Sequence, residues 1–130
     1  MTGSPRFWPS VTATVATHLN EVLDVPVRWA VPNPRPDAFI TITRIGSVTD
    51  EPWIDGAAVQ FAVYSGEPGD SPAAADALAY TLRAAVEAMP GQCPPVAKAR
   101  VTGIAASPDP LSGAPRVLVG AQIWVKPAAA

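Results

Sequence analysis

Arg116-Val117-Leu118-Val119-Gly120-Ala121-Gln122-Ile123-Trp124-Val125-Lys126 is the stretch on which the reading of this chain turns. Val117, Val119, Ala121, Ile123 and Val125 all share one parity. Strand side chains alternate between faces, so this segment reads as a strand with one wholly apolar face. Upstream, Ala97 to Ala105 alternates Lys98, Arg100 and Thr102 with Ala99, Val101 and Gly103, and reads as its hairpin partner. The joining loop, Ser107-Pro108-Asp109-Pro110-Leu111-Ser112-Gly113-Ala114-Pro115, is long for a hairpin.

An apolar sheet face needs a covering layer, and the segment before the hairpin supplies one. Leu78, Leu82, Ala85 and Met89 recur at helical spacing, and Ala75, Ala79 and Val86 widen the stripe. Ser71 suits the cap, Pro72 the first helical position, and Pro90-Gly91 the stop. Before that helix, Ala57 to Tyr64 reads as a strand with Val59, Phe61 and Val63 on one face and Gln60, Ala62 and Tyr64 on the other. Ala38 to Ile45 is another strand, with Ile40 and Ile42 on one side and Phe39 and Ile45 on the other, so both faces are open to cover. Gly46 to Gly56 is a polar loop between the two. Val25 to Val31 reads as a first strand, followed by the stiff run Val31-Pro32-Asn33-Pro34-Arg35-Pro36-Asp37. Pro9 to Leu23 opens the chain as a helix on Val11, Val15, Leu19 and Val22, with Pro9 and Ser10 at its start.

The order is α-β-β-β-α-β-β. It predicts an α+β fold: one mixed, mainly antiparallel sheet of four to five strands with two helices packed on one face. The third strand, second helix and fourth strand can form a crossover, right-handed if the two strands run parallel. The 130 residues fit a single domain, with 1–8 and 127–130 expected as flexible ends.

Charged residues make up 15% of the chain, against about a quarter in ordinary domains, which points to surface hidden against other subunits. The net charge is −2 with no basic run. Nucleic-acid binders need a basic face, so a stable DNA contact is not expected, although a balanced total is compatible with a local patch. No signal peptide is visible, and Val117 to Val125 is too short to span a membrane. The expectation is a protein made and kept in the cytoplasm unless it leaves inside a particle.

Chemistry is sparse. His18 has Thr14 and Val22 one turn away, neither a good metal ligand, and reads as a surface or interface histidine. Cys93, the only cysteine, sits in Gly91-Gln92-Cys93-Pro94-Pro95 and reads as an ordinary thiol in a turn. The motifs G-x-S-x-G, G-x-G-x-x-G and the P-loop do not occur. Asp50, Glu51 and Asp55 lack the spacing of a calcium loop and read as a solvated group. No catalytic, cofactor or metal site is expected, and the chain is not expected to be an enzyme. Trp29 and Trp124 fall in expected strands and read as core. Trp8 and Trp53 sit beside prolines outside regular elements. They read either as interface anchors or as a satellite cluster under a loop. Arg35 and Arg44 either bridge subunits or face water.

Ala38-Phe39-Ile40-Thr41-Ile42-Thr43-Arg44-Ile45-Gly46 resembles the second-strand signature of small tail-terminator and minor tail proteins of long-tailed phages, with Ser47 where those carry a second glycine. The strand Val59 to Tyr64, the helix Ala74 to Met89 with its Met89-Pro90-Gly91 stop, and a closing hairpin from Val101 to Pro127 follow the same order. The resemblance covers Pro9 to Pro127. It implies a hexameric ring on the head-proximal end of the tail tube, which stops tube polymerisation and meets the head–tail connector protein. The implied partners are the chain itself, the tail tube protein and the connector. DNA would pass through the lumen without specific binding, with no cofactor and no membrane, and the place would be the virion. On that reading Trp53, Arg44, Trp8 and Arg35 are candidates for a subunit or tail interface, and Asp50, Glu51 and Asp55 for the lumen or rim. A head-completion or connector protein at the same junction is the nearest alternative. A small cytoplasmic enzyme or ligand-binding module is the third.

Overall fold

The computed structural model describes residues 6–7, 10–47, 55–126 and 128–129. Its main sheet has five strands in the order β2-β3-β4-β6-β5, formed by Val27–Arg28 (β2), Ala38–Ser47 (β3), Asp55–Ser65 (β4), Val96–Ala106 (β5) and Arg116–Val125 (β6). The pairing β2–β3 is parallel and the other three are antiparallel. The helices are α1, Val11–Val22, and α2, Ala73–Gln92. The expected α+β order is therefore the observed one. Within the segments read as flexible ends, Arg6–Phe7 (β1) and Ala128–Ala129 (β7) pair antiparallel.

Both β4 and β5 run antiparallel to β6, which lies between them, so β4-α2-β5 is a parallel crossover that skips one strand. Directly opposed residues share a face. The row Ile42–Phe61–Val119–Ile104 faces the helices; the row Thr41–Ala62–Leu118–Ala105 faces away. Val59, Phe61, Val63, Val117, Val119, Ile123 and Val125 are fully buried with Val11, Val15 and Leu19 of α1 and Ala75, Ala79, Leu82, Val86 and Met89 of α2. Both helices thus cover one face, α1 toward β2 and β3 and α2 toward β5 and β6.

Ser10 caps α1 as read: its Oγ accepts from the Ala13 amide at 3.2 Å, meeting one of the four free N–H groups of the first turn. Several expectations need correction. Val22 is exposed, and Ala16 and His18 fill the buried stripe instead. Helix α2 does not stop at Pro90 but continues to Gln92, with the Cys93 amide donating to Met89 O at 2.7 Å. A proline removes only its own donor, and in the last turn few bonds remain to be lost. The first strand is two residues long, so Trp29 lies past its end, 62% exposed, rather than in the core. In β3 the register slips between Arg44 and Gly46, leaving Ile45 as an exposed bulge residue. In β5 it slips twice, at Ala97 and at Thr102. The second slip reverses the alternation: Gly103 joins Lys98 and Arg100 on the outer face, and Ile104 turns to the core.

The short β2 edge is closed by a side chain. Asn20 Oδ1 accepts from the Val27 amide at 2.9 Å, and its Nδ2 donates to Val27 O at 2.9 Å and to Ala16 O at 2.8 Å. One carboxamide therefore answers both backbone groups that β2 turns away from β3, as a neighbouring strand would.

Candidate interaction surfaces

The face of the sheet opposite the helices carries no covering element among the described residues. Its rows hold Thr41, Thr43, Ala58, Gln60, Ala62, Leu118, Gly120, Gln122 and Trp124, small or polar for the most part and only partly exposed on β4 and β6. Thr102, the bulge residue, lies over Gly120, where an added Cβ would come within 2.9 Å of its hydroxyl. Glycine at 120 therefore lets the bulge lie close on the strand.

The charges on this face are one-sided. Lys98, Arg100 and Arg116 project from its rows, and no carboxylate does. Lys98 Nζ stands 4.9 Å from the centroid of the Trp124 ring, and Arg100 Nε donates to Gln122 Oε1 at 3.0 Å. Arg116 Nε donates to Ser107 O at 2.8 Å. The absence of a basic run in the sequence thus conceals a local cationic face, assembled from positions two apart on β5 and one at the far end of β6. Trp124 lies on this face, half-buried, rather than in the core where the sequence placed it.

Arg35 belongs to the same face. Phe39 and Tyr64, outward neighbours on β3 and β4, stack at 4.5 Å with 13° between ring planes. The Arg35 guanidinium lies over both, 5.1 and 5.2 Å from their centroids. The attraction of a cation to the ring quadrupole, together with the lid it forms, explains why Phe39 is fully buried outside the main core. Asp109, in the β5–β6 loop, accepts from the Leu111 amide at 3.0 Å and the Ser112 hydroxyl at 2.9 Å. The Leu111 bond first, then that of Ser112 and the charges of Arg116 and Arg35, hold its carboxyl below the usual aspartate range.

Of the remaining candidates, Arg44 and Asp55 come together. Their side chains pair at 3.2 Å, and Arg44 also reaches Gly46 O and Ser47 Oγ. One was read as an interface residue and the other as a lumen or rim residue. In the structure they form a clasp across the base of the β3–β4 connection, worth about 0–1 kcal/mol as an exposed pair. Trp8, Trp53, Asp50 and Glu51 lie outside the described residues.

A second surface lies between α1 and the turn after α2, an open groove of about 460 Å³ lined by Ser10, Thr14, Thr17, His18, Glu21 and Cys93 among others. His18 is only 9% exposed, and its Nε2 has no partner among the described residues. Of the surface and interface readings of His18, the first does not hold. Burial pushes the Cys93 thiol up, partly offset by a bond from the Val96 backbone, with the Glu21 charge adding to the rise, so it stays a neutral, weakly nucleophilic group. Among the described residues no set of three or more histidines, cysteines or carboxylates is placed to hold a metal, and no helix is long and apolar enough to cross a membrane. A scan against protein-family models and a search of curated proteins each return no match for the chain.

Proposed function

We propose that this chain is a structural subunit of a phage tail: a tail terminator that forms a ring with further copies of itself, caps the tail tube, stops its polymerisation and joins it to the head connector. The observation that carries this reading is the open sheet face. A sheet with strands of ten and eleven residues and helices on one side only offers a broad, half-solvated surface that a partner can cover. The element order and the strings Ala38 to Gly46 and Met89 to Gly91 support it through their likeness to that family. A ring of identical subunits needs two different, complementary surfaces on each copy, and here the open sheet face and the outer side of the helices are two different surfaces. In this reading the ring is the functional unit in the virion, DNA traverses its lumen without sequence readout, and the chain performs no catalysis. A head-completion or connector protein at the same junction would use the same surfaces, and binding to connector rather than to tube protein separates the two.

The groove holding His18, Glu21 and Cys93 favours a second reading, a ligand-binding module, because polar groups converge there beside apolar walls. Light scattering coupled to size exclusion across a concentration series tests the first against the second. A mass near six times the 13.5 kDa chain, with a central pore in negative stain, is the expected result. A monomer that neither associates at high concentration nor caps purified tail tubes overturns the tail reading.

A further inference from the structure

We propose that the helix-free sheet face is the receptor for the outer face of α2 from a second copy of this chain, with that copy's Tyr80 seated over the Ala62–Leu118 pair. The inference rests on the self-assembly reading above and names the contact that would carry it.

The donor surface is unusual for a solvated helix. Ala73, Ala77, Ala84 and Ala88 are exposed along α2, and Tyr80 stands above them, 54% exposed. Alanines give a low, smooth track that costs little side-chain entropy to bury. A tyrosine rising from it has the shape of an interface anchor. The receptor surface has a matching hollow. A depression of about 320 Å³ opens on the sheet face, lined by Ala62 and Leu118 together with Thr41, Thr43, Gln60 and Arg116, the last four able to bond a phenol hydroxyl.

Charge and length agree with the pairing. Asp76 and Glu87 lie on the outer side of α2, one turn before Tyr80 and two turns after it, about 6 Å and 10 Å along the axis. On the receptor, Arg116 is two residues from Leu118. The row of Gln122 and Arg100 lies four residues beyond Leu118 in the other direction. These are roughly 7 Å and 13 Å along the strand. One orientation of the helix therefore sets Asp76 toward Arg116 and Glu87 toward Arg100 when Tyr80 is in the hollow. The approach to α2 adds Glu67 and Asp70; Arg83, the one cation of the helix, pairs with Glu87 at 3.0 Å, so in this contact Glu87 is shared between Arg83 and Arg100 of the other copy. A nucleic-acid backbone would use the cations, Arg116 beside the hollow included, but would leave Tyr80 and the alanine track of α2 without a role, so the observations favour a second copy. Because donor and receptor surfaces differ, the contact is head-to-tail and propagates.

Sedimentation velocity of the full chain from micromolar to near-millimolar concentration is the test, with circular dichroism melts run in parallel. Tyr80→Ala is expected to weaken association at least tenfold with an unchanged melt, since Tyr80 is exposed in the subunit. Glu87→Arg and Arg100→Glu are each expected to weaken it, and their combination to recover most of the loss. Several results overturn the contact: wild-type association retained in Tyr80→Ala, no recovery in the charge swap, a wild type monomeric throughout the range, or a short duplex DNA binding to this face in preference to a second copy. A closed ring that survives Tyr80→Ala would leave the tail reading standing and remove this contact. Open filaments abolished by Tyr80→Ala would do the reverse.

Discussion

The two faces of the sheet are built from the same strands and made for different ends. On the helix side, Ile42, Phe61, Val119 and their neighbours are packed against α1 and α2 and lose all contact with water. On the other side, one residue along each strand, stand Thr41, Ala62 and Leu118, which stay half-solvated, with cations toward the ends. The first face holds the subunit together. The second adds little to its stability and is left for whatever the subunit meets. In a chain with few reactive groups, the face that folding leaves unused is the place to look for function.

Substitution on each face sharpens that contrast. Phe61→Ala removes a fully buried ring from the centre of the core and should cost about 3–5 kcal/mol, much of the whole stability of a domain this size. A chemical-denaturation midpoint close to that of the wild type would show that the helix side is not the load-carrying core. Leu118→Ser, one residue along from Val119 on the neighbouring strand, should cost less than half as much in the isolated subunit while impairing self-association. Equal losses for the two variants would erase the distinction between the faces. Asn20→Ala tests the edge rather than either face. It leaves the Val27 amide unanswered at a part-buried site and its carbonyl with only the Arg28 Nη1 donor at 3.0 Å, and should cost about 1–3 kcal/mol, read by the same denaturation. Hydrogen exchange at Val27 should rise with it, and an unchanged rate would mean that water substitutes freely for the side chain.

The smallest effect concerns acid. Asp109 has a lowered pKa when folded, so its contribution is present above the ordinary aspartate value of about 3.9. It is lost as pH falls through the lower folded value. The expected outcome is loosening of the loop that Leu111 tips, together with the Arg35 lid beside it, at a pH below that range and before the core melts. Near- and far-ultraviolet dichroism that change together on acidification would count against it.

The parts of the fold legible in the sequence were those in which one physical rule acted alone. β6 is paired on both sides and carries no bulge residue of its own, the slips lying on β5, so its alternation in sequence is its alternation in space. The same holds for Val59 to Tyr64. β5 defeated the reading because bulges at Ala97 and Thr102 reverse its parity, and a bulge leaves no mark in an alternating string. Pro90 was read as a stop because its local penalty is visible, whereas the packing of Met89 that carries the helix onward is not. For the surfaces, residue type identified Arg35 and Arg44 as noteworthy but not their use. Arg35 lies over Phe39 and Tyr64, and Arg44 is clasped to Asp55 within the subunit. The cationic face depends on register between strands far apart in sequence, and Asn20 on a helix lying beside an edge. Neither has a local signature.

The carboxamide of Asn20 has one more consequence. A fibre that grows by adding strands requires every molecule to offer two free borders, one to receive and one to give. Here one border is answered from within, by a side chain that already occupies both hydrogen-bonding positions of Val27. At the other border of this sheet stands β5, and two copies meeting along β5 would exhaust each other there. Strand addition at β2 in the native subunit is therefore opposed by a single amide.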